Sequence, residues 1–269
     1  MNRYGISVEL KNVPELDPEF TPLLKFNRAF LENATKPVSV AVERADGQMA
    51  TCHTKLHENS AMAAANHYYI DRLVKTMLWL QGGFRVYVND KDTYDYLSSV
   101  YCKGGAREFD WDFMSHIYEH AFEVVLTDNI PETKDAPIAM GGHLEGCRIG
   151  FDAGGSDRKV SAVIDGETVF SEEVVWFPKT TADPDYHYDG IVAAFKSAAS
   201  VGISSAGIFI NNRTMNASLF LKVPEDLYEA KVKDIYIRAV KDTFGDIPYA
   251  VANDGDVSAL AGTMSIKDN

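Results

Sequence analysis

Residues 149–169 read IGFDAGGSDRKVSAVIDGETV. An alternating apolar run stops at Asp152, two glycines and a serine follow, and alternation resumes at Lys159. A period of two marks strands whose successive side chains face opposite sides of a sheet. Asp165-Gly166 is a dipeptide that favours a two-residue hairpin turn, and Glu167 to Trp176 continues as a third run. Turns this short can only join antiparallel neighbours. The spacing therefore predicts a three-stranded meander over 148–153, 159–164 and 167–176. A plain hairpin needs no acid ahead of its turn. Glycines without a Cβ, however, let backbone N–H groups approach a phosphate oxygen.

Beyond the meander, Asp183-Pro184 has the form of a helix N-cap followed by proline at the first helical position. The predicted helix runs to about Ser200, with Ile191, Val192, Phe195 and Ala199 on one face. VGISSAGIFI (201–210) reads as a strand with a bend of small residues. Residues 225–244 form an amphipathic pattern through Leu227, Ile235, Ala239, Val240 and Phe244, closed by Gly245. IPYAVAN (247–253) is a strand, and a last helix is expected from Val257 with Asp256 as its cap. The expected order is β-β-β-α-β-α-β-α, an α/β arrangement of the kind found in one lobe of a ribonuclease-H-like domain.

The first half reads as a separate, smaller α/β region. It begins with an extended, Pro-punctuated arm from Val13 to Pro37. A hairpin follows, with VSVAVERA (38–45) and QMATCHTKL joined at Asp46-Gly47. A helix over 61–80 is stopped by Gly82-Gly83, and a strand is expected at 84–90. Helices near 92–101 and 110–121 and a strand at 123–128 complete it. Residues 128–147, DNIPETKDAPIAMGGHLEGC, are rich in Pro, Gly and charge and read as a connection. The expected domains are 1–147 and 148–269. His116-Ile117-Tyr118-Glu119-His120 matches a zinc-protease spelling, H-x-x-E-H. Three fixed letters in five arise often by chance, and no downstream carboxylate on a second helix is marked out. The segment is read as an exposed helix turn.

Net charge narrows the partners. With 39 acidic and 26 basic residues the chain carries −13, which argues against a nucleic-acid surface, since those are built on basic stripes. Three widely spaced cysteines, Cys52, Cys102 and Cys147, include no C-x-x-C pair and read as reduced thiols of a cytoplasmic protein. No run approaches the about 20 apolar residues of a membrane span. MNRYGISVELKNVPELD lacks the apolar core of a secretory signal.

Chemistry is expected at two places in the second half. A carboxylate at the end of an inner strand suits a hydrated Mg²⁺, which prefers oxygen ligands and keeps several waters. Asp152 is that residue. Gly154 and Gly155 would offer backbone amides, Ser156 a hydroxyl donor, and Lys159 a charge to neutralise phosphate. The second place is Asn253-Asp254-Gly255-Asp256, where a strand gives way to a helix. Ligands in open α/β sheets bind outside the carboxyl ends of strands. Asp254 there can accept the proton of a hydroxyl that attacks phosphorus. Both segments also have purely structural readings, a Gly-Gly hairpin and a turn with a helix cap.

GFDAGGS (150–156) resembles the first phosphate motif of the sugar-kinase, heat-shock-70 and actin superfamily. Paired with NDGDVSALAG (253–262), it is similar to the ROK family of bacterial sugar kinases and sugar-responsive repressors, over about 120 residues from Arg148 onward. GISSAG (202–207) stands where that family has G-x-P-G, and MNASLF (215–220) where its sugar-contacting Asn loop lies. The resemblance implies ATP- and Mg-dependent phosphorylation of a sugar hydroxyl. Asp152 would be the magnesium-associated acid, Gly154, Gly155, Ser156 and Lys159 the phosphate site, and Asp254 the catalytic base. Asn253, Asn216 and Ser205 would contact the sugar. It also implies a second lobe with a further phosphate motif, an adenosine pocket and often a zinc site. That lobe is not visible after residue 262: either the first half substitutes for it, or, the favoured expectation, the chain is the N-terminal portion of such an enzyme. The alternative is a non-catalytic sugar sensor on the same lobe. Members of the family are often dimers.

Overall fold

The computed structural model describes residues 1–136, 145–196 and 201–264. The chain divides into two compact units, Met1–Ala136 and Pro137–Asn269. Both are mixed α/β. No helix among the described residues is long and apolar enough to cross a membrane.

In the first unit a short ribbon, β1 (Asn2–Arg3) with β2 (Ile6–Ser7), precedes α1 (Leu23–Leu31). The helix lies inside the segment expected to be an extended arm. Phe26 and Phe30, one turn apart, are its buried residues, and Phe30 stacks on Tyr69 at 4.4 Å. Next come β3 (Lys36–Glu43), β4 (Met49–Leu56), α2 (Ala63–Gln81), β5 (Arg85–Val88), α3 (Lys91–Val100), α4 (Glu108–Tyr118) and β6 (Glu123–Leu126). The sheet order is β4-β3-β5-β6, with β5 and β6 parallel across the α3–α4 crossover. The expected connection over 128–147 is partly part of this sheet. Met49 and Lys134 exchange backbone hydrogen bonds, and Thr51 Oγ1 donates to Pro131 O at 2.7 Å. Residues 137–144 lie outside the described residues.

Helix α4 ends sooner than expected. Glu119 adopts left-handed backbone (φ 51°), so His120 leaves the helix and the two histidines do not share a helical face. His120 Nδ1 faces Ala121 O at 2.8 Å instead.

The second unit opens with the meander: β7 (Cys147–Ala153), β8 (Asp157–Ile164) and β9 (Glu167–Val175). Asp165 and Gly166 both take positive φ at the second turn, as a two-residue hairpin turn of this hand requires. Then follow α5 (Pro184–Phe195), β10 (Val201–Ser205), β11 (Gly207–Ile210) and β12 (Arg213–Ala217). The chain closes with α6 (Glu225–Leu227), α7 (Ile235–Phe244), β13 (Tyr249–Asn253) and α8 (Asp254–Met264). The five-stranded sheet runs β13-β10-β7-β8-β9. Strands β10 and β13 are parallel to β7, and β8 is antiparallel to it.

Three expectations for this unit are corrected. The strand over 201–210 is two strands in different sheets. Its second part, β11, pairs with β12 through an Asn211-Asn212 turn, both residues at positive φ. The order is therefore β-β-β-α-β-β-β-α-α-β-α. The helix over 225–244 is broken. Tyr228–Val232 is a π-type turn, and Lys233 O accepts from Thr214 N at 2.8 Å, which takes it out of the helical ladder. The last helix starts at Asp254 rather than Val257, because Asn253, not Asp256, accepts the first free amide: Gly255 N donates to Asn253 Oδ1 at 2.8 Å. The last part of the helix expected to reach Ser200, residues 197–200, lies outside the described residues.

One face of this sheet carries the core. Ile149, Phe151, Ala153, Ile203 and Val251 pack with Ile191 and Phe195 of α5 and with Ile235, Tyr236, Ala239 and Val240 of α7. Phe195 is fully buried, edge-on to Phe151 at 5.3 Å and near Phe244 at 5.8 Å. Phe195→Ala is expected to lower the stability of this unit by about 3–5 kcal/mol, the transfer cost of the ring plus the cavity it leaves. Chemical denaturation of the variant checks this.

Candidate functional site

Strand register assembles the site. Ala153 of β7, Ser205 of β10 and Asn253 of β13 are mutual partners across the three parallel strands. All three strands therefore end at one margin of the sheet. The Gly154-Gly155 turn leaves β7 there, and Asp254 leaves β13 there. Neighbouring strands lie about 4.8 Å apart, so the two exits are separated by only about 10 Å of sheet.

Trp176 fixes the turn. Its indole Nε1 donates to Gly154 O at 2.7 Å, and its backbone N donates to Ser156 O at 3.1 Å. The ring is buried against Gly190, where a Cβ would come within 2.9 Å of it. A trans peptide points its C=O and the following N–H in opposite directions. With the carbonyls of Gly154 and Ser156 turned to Trp176, the N–H groups of Gly155 and Asp157 point away from it. The amides of Gly155 and Ser156 have no hydrogen-bond partner among the described residues. Gly154 is obligatory on steric grounds, since a Cβ would lie 2.5 Å from Asp157 O, a backbone atom.

Asp152 projects from the opposite face of β7 to Phe151, half-buried. Burial holds its carboxyl above the ordinary range. Lys159 opposes this, and the carboxylates of Asp157 and Asp254 reinforce it. Asp152 and Asp254 thus share an electrostatic environment despite being about a hundred residues apart in the chain. Asp254 is exposed, and its Oδ1 accepts from Gly255 N at 2.9 Å.

Other expected site residues have prior engagements. Lys159 Nζ pairs with Asp157 Oδ1 at 2.9 Å, and Ser156 Oγ donates to Asp157 Oδ2 at 3.0 Å. Lys159 thereby neutralises a carboxylate beside the turn, and this pairing holds Asp157 below the usual range. Ser205 is fully buried, its Oγ donating to Ala153 O at 3.5 Å, so it presents nothing to a ligand in solvent. Asn253 caps α8 and also donates from Nδ2 to Gly207 O at 2.8 Å, so both ends of its amide are in use. Asn216 lies exposed on β12, opposite Ile208.

Two residues with no marking in the sequence emerge here. Lys179 belongs to a single helical turn, Pro178–Thr180, after the meander. A Cβ built on Gly155 would fall 2.5 Å from Lys179 Nζ, so this ammonium rests on the glycine turn. His187 of α5 is fully buried and anchors that turn. Its Nε2 faces Pro178 O at 2.9 Å and Leu219 O at 3.1 Å, and its Nδ1 faces Asp183 O at 3.0 Å.

No family model and no curated protein matches this chain. Among solved structures, the Aquifex aeolicus PPX-GPPA enzyme is similar at 8% identity over 84% of this chain and 96% of that one, with a TM-score of 0.25. At that distance the likeness bears on neither activity nor ligand.

The first unit holds a cavity of its own, about 480 Å³, at the carboxyl end of β5. Its polar floor is satisfied internally. Asp90 pairs with Lys36 and accepts from Thr93, and Asn66 exchanges hydrogen bonds with the His57 backbone. It offers no counterpart to the open amides of the glycine turn.

Proposed function

We propose that the second unit binds the phosphates of a nucleotide and serves in phosphoryl transfer to a sugar hydroxyl. The observation that carries this is the turn at 154–156, clamped by Trp176 so that the free Gly155 amide faces outward at the margin where Asp152 and Asp254 also sit. The sheet, with β8 antiparallel and β10 and β13 parallel to β7, supports reading this unit as a ribonuclease-H-like lobe. The sugar as acceptor rests on the likeness of GFDAGGS and NDGDVSALAG to ROK kinases.

The donor set suits magnesium. A carboxylate raised by burial and by two neighbouring acids would be relieved by a divalent cation. Asp152 would hold Mg²⁺ through water, and the ion when bound would neutralise phosphate charge. The amides of Gly155 and Ser156 would receive phosphate oxygens. Asp254 would take the proton of the attacking hydroxyl. Phosphoryl transfer asks chiefly for such positioning and charge compensation.

Asp152→Asn separates these roles. Asp152 carries a raised carboxyl, so its ionisation costs stability in the ligand-free fold. That cost is full above the folded-state value and disappears as pH falls below the unfolded one. The variant is therefore expected to melt a few degrees higher than wild type at neutral pH. It should also lose the magnesium dependence of ATP binding in calorimetric titration. Wild-type protein that binds ATP equally with and without magnesium would overturn the assignment.

The alternative is a sugar sensor on the same lobe that binds without turnover; two of the three expected sugar contacts, Ser205 and Asn253, serve the fold, which leaves Asn216 to meet the sugar in either reading. Titration with a sugar panel, with and without Mg-ATP, separates the two. Sugar binding without transfer in the complete protein identifies the sensor.

A further inference from the structure

We infer that Lys179, not Lys159, is the cation that completes the anion site at the glycine turn. This rests on the reading of residues 154–156 as a phosphate cradle, but names a group that neither the motif nor the resemblance supplies.

The geometry separates the two lysines. Lys159 leaves β8 with its ammonium 2.9 Å from Asp157 Oδ1, so its charge is spent on a neighbour. Lys179 is exposed and pairs with no carboxylate among the described residues. Its Cε and Nζ both lie 2.5 Å from where a Gly155 Cβ would be. The side chain occupies the space that glycine leaves open, above a peptide whose N–H is turned outward. An anion received at the Gly155 amide therefore has the Lys179 ammonium beside it.

The lysine is delivered by a built device. Pro178 is buried, and its carbonyl faces His187 Nε2, which also faces Leu219 O. Thr180 Oγ1 donates to Phe177 O at 2.9 Å, and Phe177 N donates to Tyr186 Oη at 2.9 Å. Both flanks of Lys179 are thus held while its side chain stays free to follow a ligand. A flexible ammonium over fixed amides is suited to a phosphoanhydride, whose charge is spread over several oxygens. It also gives a second reason for glycine at 155. Any side chain there would displace the ammonium.

Inorganic pyrophosphate is the probe, titrated calorimetrically into the full chain with Mg²⁺ present. Lys179→Met should weaken binding at least tenfold and flatten its salt dependence by about one charge. Lys179→Arg should retain most of the affinity. Lys159→Met should weaken binding less than Lys179→Met, and only through the Asp157 carboxylate that it leaves unpaired beside the turn. Gly155→Ala should fold normally, because the obstructing atoms are the tip of a flexible side chain, yet bind as weakly as Lys179→Met. Unchanged pyrophosphate affinity in Lys179→Met, or no binding by the wild type, overturns the inference. Failure of the kinase assignment looks different: pyrophosphate binds, Lys179→Met loses it, and the protein phosphorylates no sugar.

Discussion

Asp254→Ala is expected to reduce the proposed phosphoryl transfer about 10²–10⁴-fold, the range a positioned general base contributes. Affinity for Mg-ATP should stay within about threefold, because no phosphate-facing amide comes from this residue. Asp254 also begins α8 and accepts from Gly255 N, so its removal takes an acid from the first turn of a helix. That structural effect is worth about 0.3–1 kcal/mol. Asp254→Asn separates the two contributions. It keeps an acceptor at the helix start but cannot take a proton from a hydroxyl. Both variants should therefore lose transfer alike, while the alanine form, which lacks the acceptor as well as the charge, loses more stability. Asparagine restoring transfer would mean that Asp254 merely caps the helix. The measurements are single-turnover transfer, ATP titration and thermal melting on the same preparations.

His187→Ala is the substitution expected to damage the fold of the second unit most per atom removed. The ring faces three carbonyls from three segments: Asp183 at the start of α5, Pro178 ahead of Lys179, and Leu219 after β12. Alanine takes the imidazole from the buried Pro178 and Leu219 carbonyls and leaves a cavity beside Phe220, whose ring lies 4.8 Å from the imidazole. An unsatisfied buried acceptor costs about 1–3 kcal/mol. Allowing for some relaxation, a loss of about 3–5 kcal/mol is expected for the whole site. His187→Gln retains a donor and should recover part of it. Pyrophosphate affinity of the glutamine form should fall as well, because Pro178 sets the position of Lys179. A change below about 1 kcal/mol in the alanine form would show that the three carbonyls find other partners.

What was legible in the sequence was what short-range chemistry decides. The meander followed from Asp165-Gly166 and the Gly-Gly turn, and the helix start at Asp183-Pro184 from its cap, which accepts from Asp185 N at 3.0 Å. The β11–β12 hairpin carries a signal as well, Asn211-Asn212 between two apolar runs, but asparagine pairs announce such a turn less loudly than Asn-Gly. The break at Lys233 has no local signature. The apolar period runs on through it, and the interruption is imposed by a strand that lies far off in sequence. The site was half legible for the same reason. Asp152, Gly154 and Gly155 sit in one recognisable turn. Trp176 reaches that turn from 22 residues away, and Lys179 from further along the same connection. Lys159 was the natural choice by proximity in sequence, yet it spends its charge on Asp157.

The small hairpin also decides how this sheet can grow. Asn212 Oδ1 accepts from Val251 N at 2.8 Å, and Asn253 Nδ2 holds Gly207 O, so the outer margin of β13 is already occupied. The opposite margin, β9, is exposed along nearly its whole length. A polymer of strands needs two open ends per molecule, and this unit offers one. Two copies joined along β9 would leave this sheet no further open edge among the described residues, so strand addition through the second unit ends at a pair.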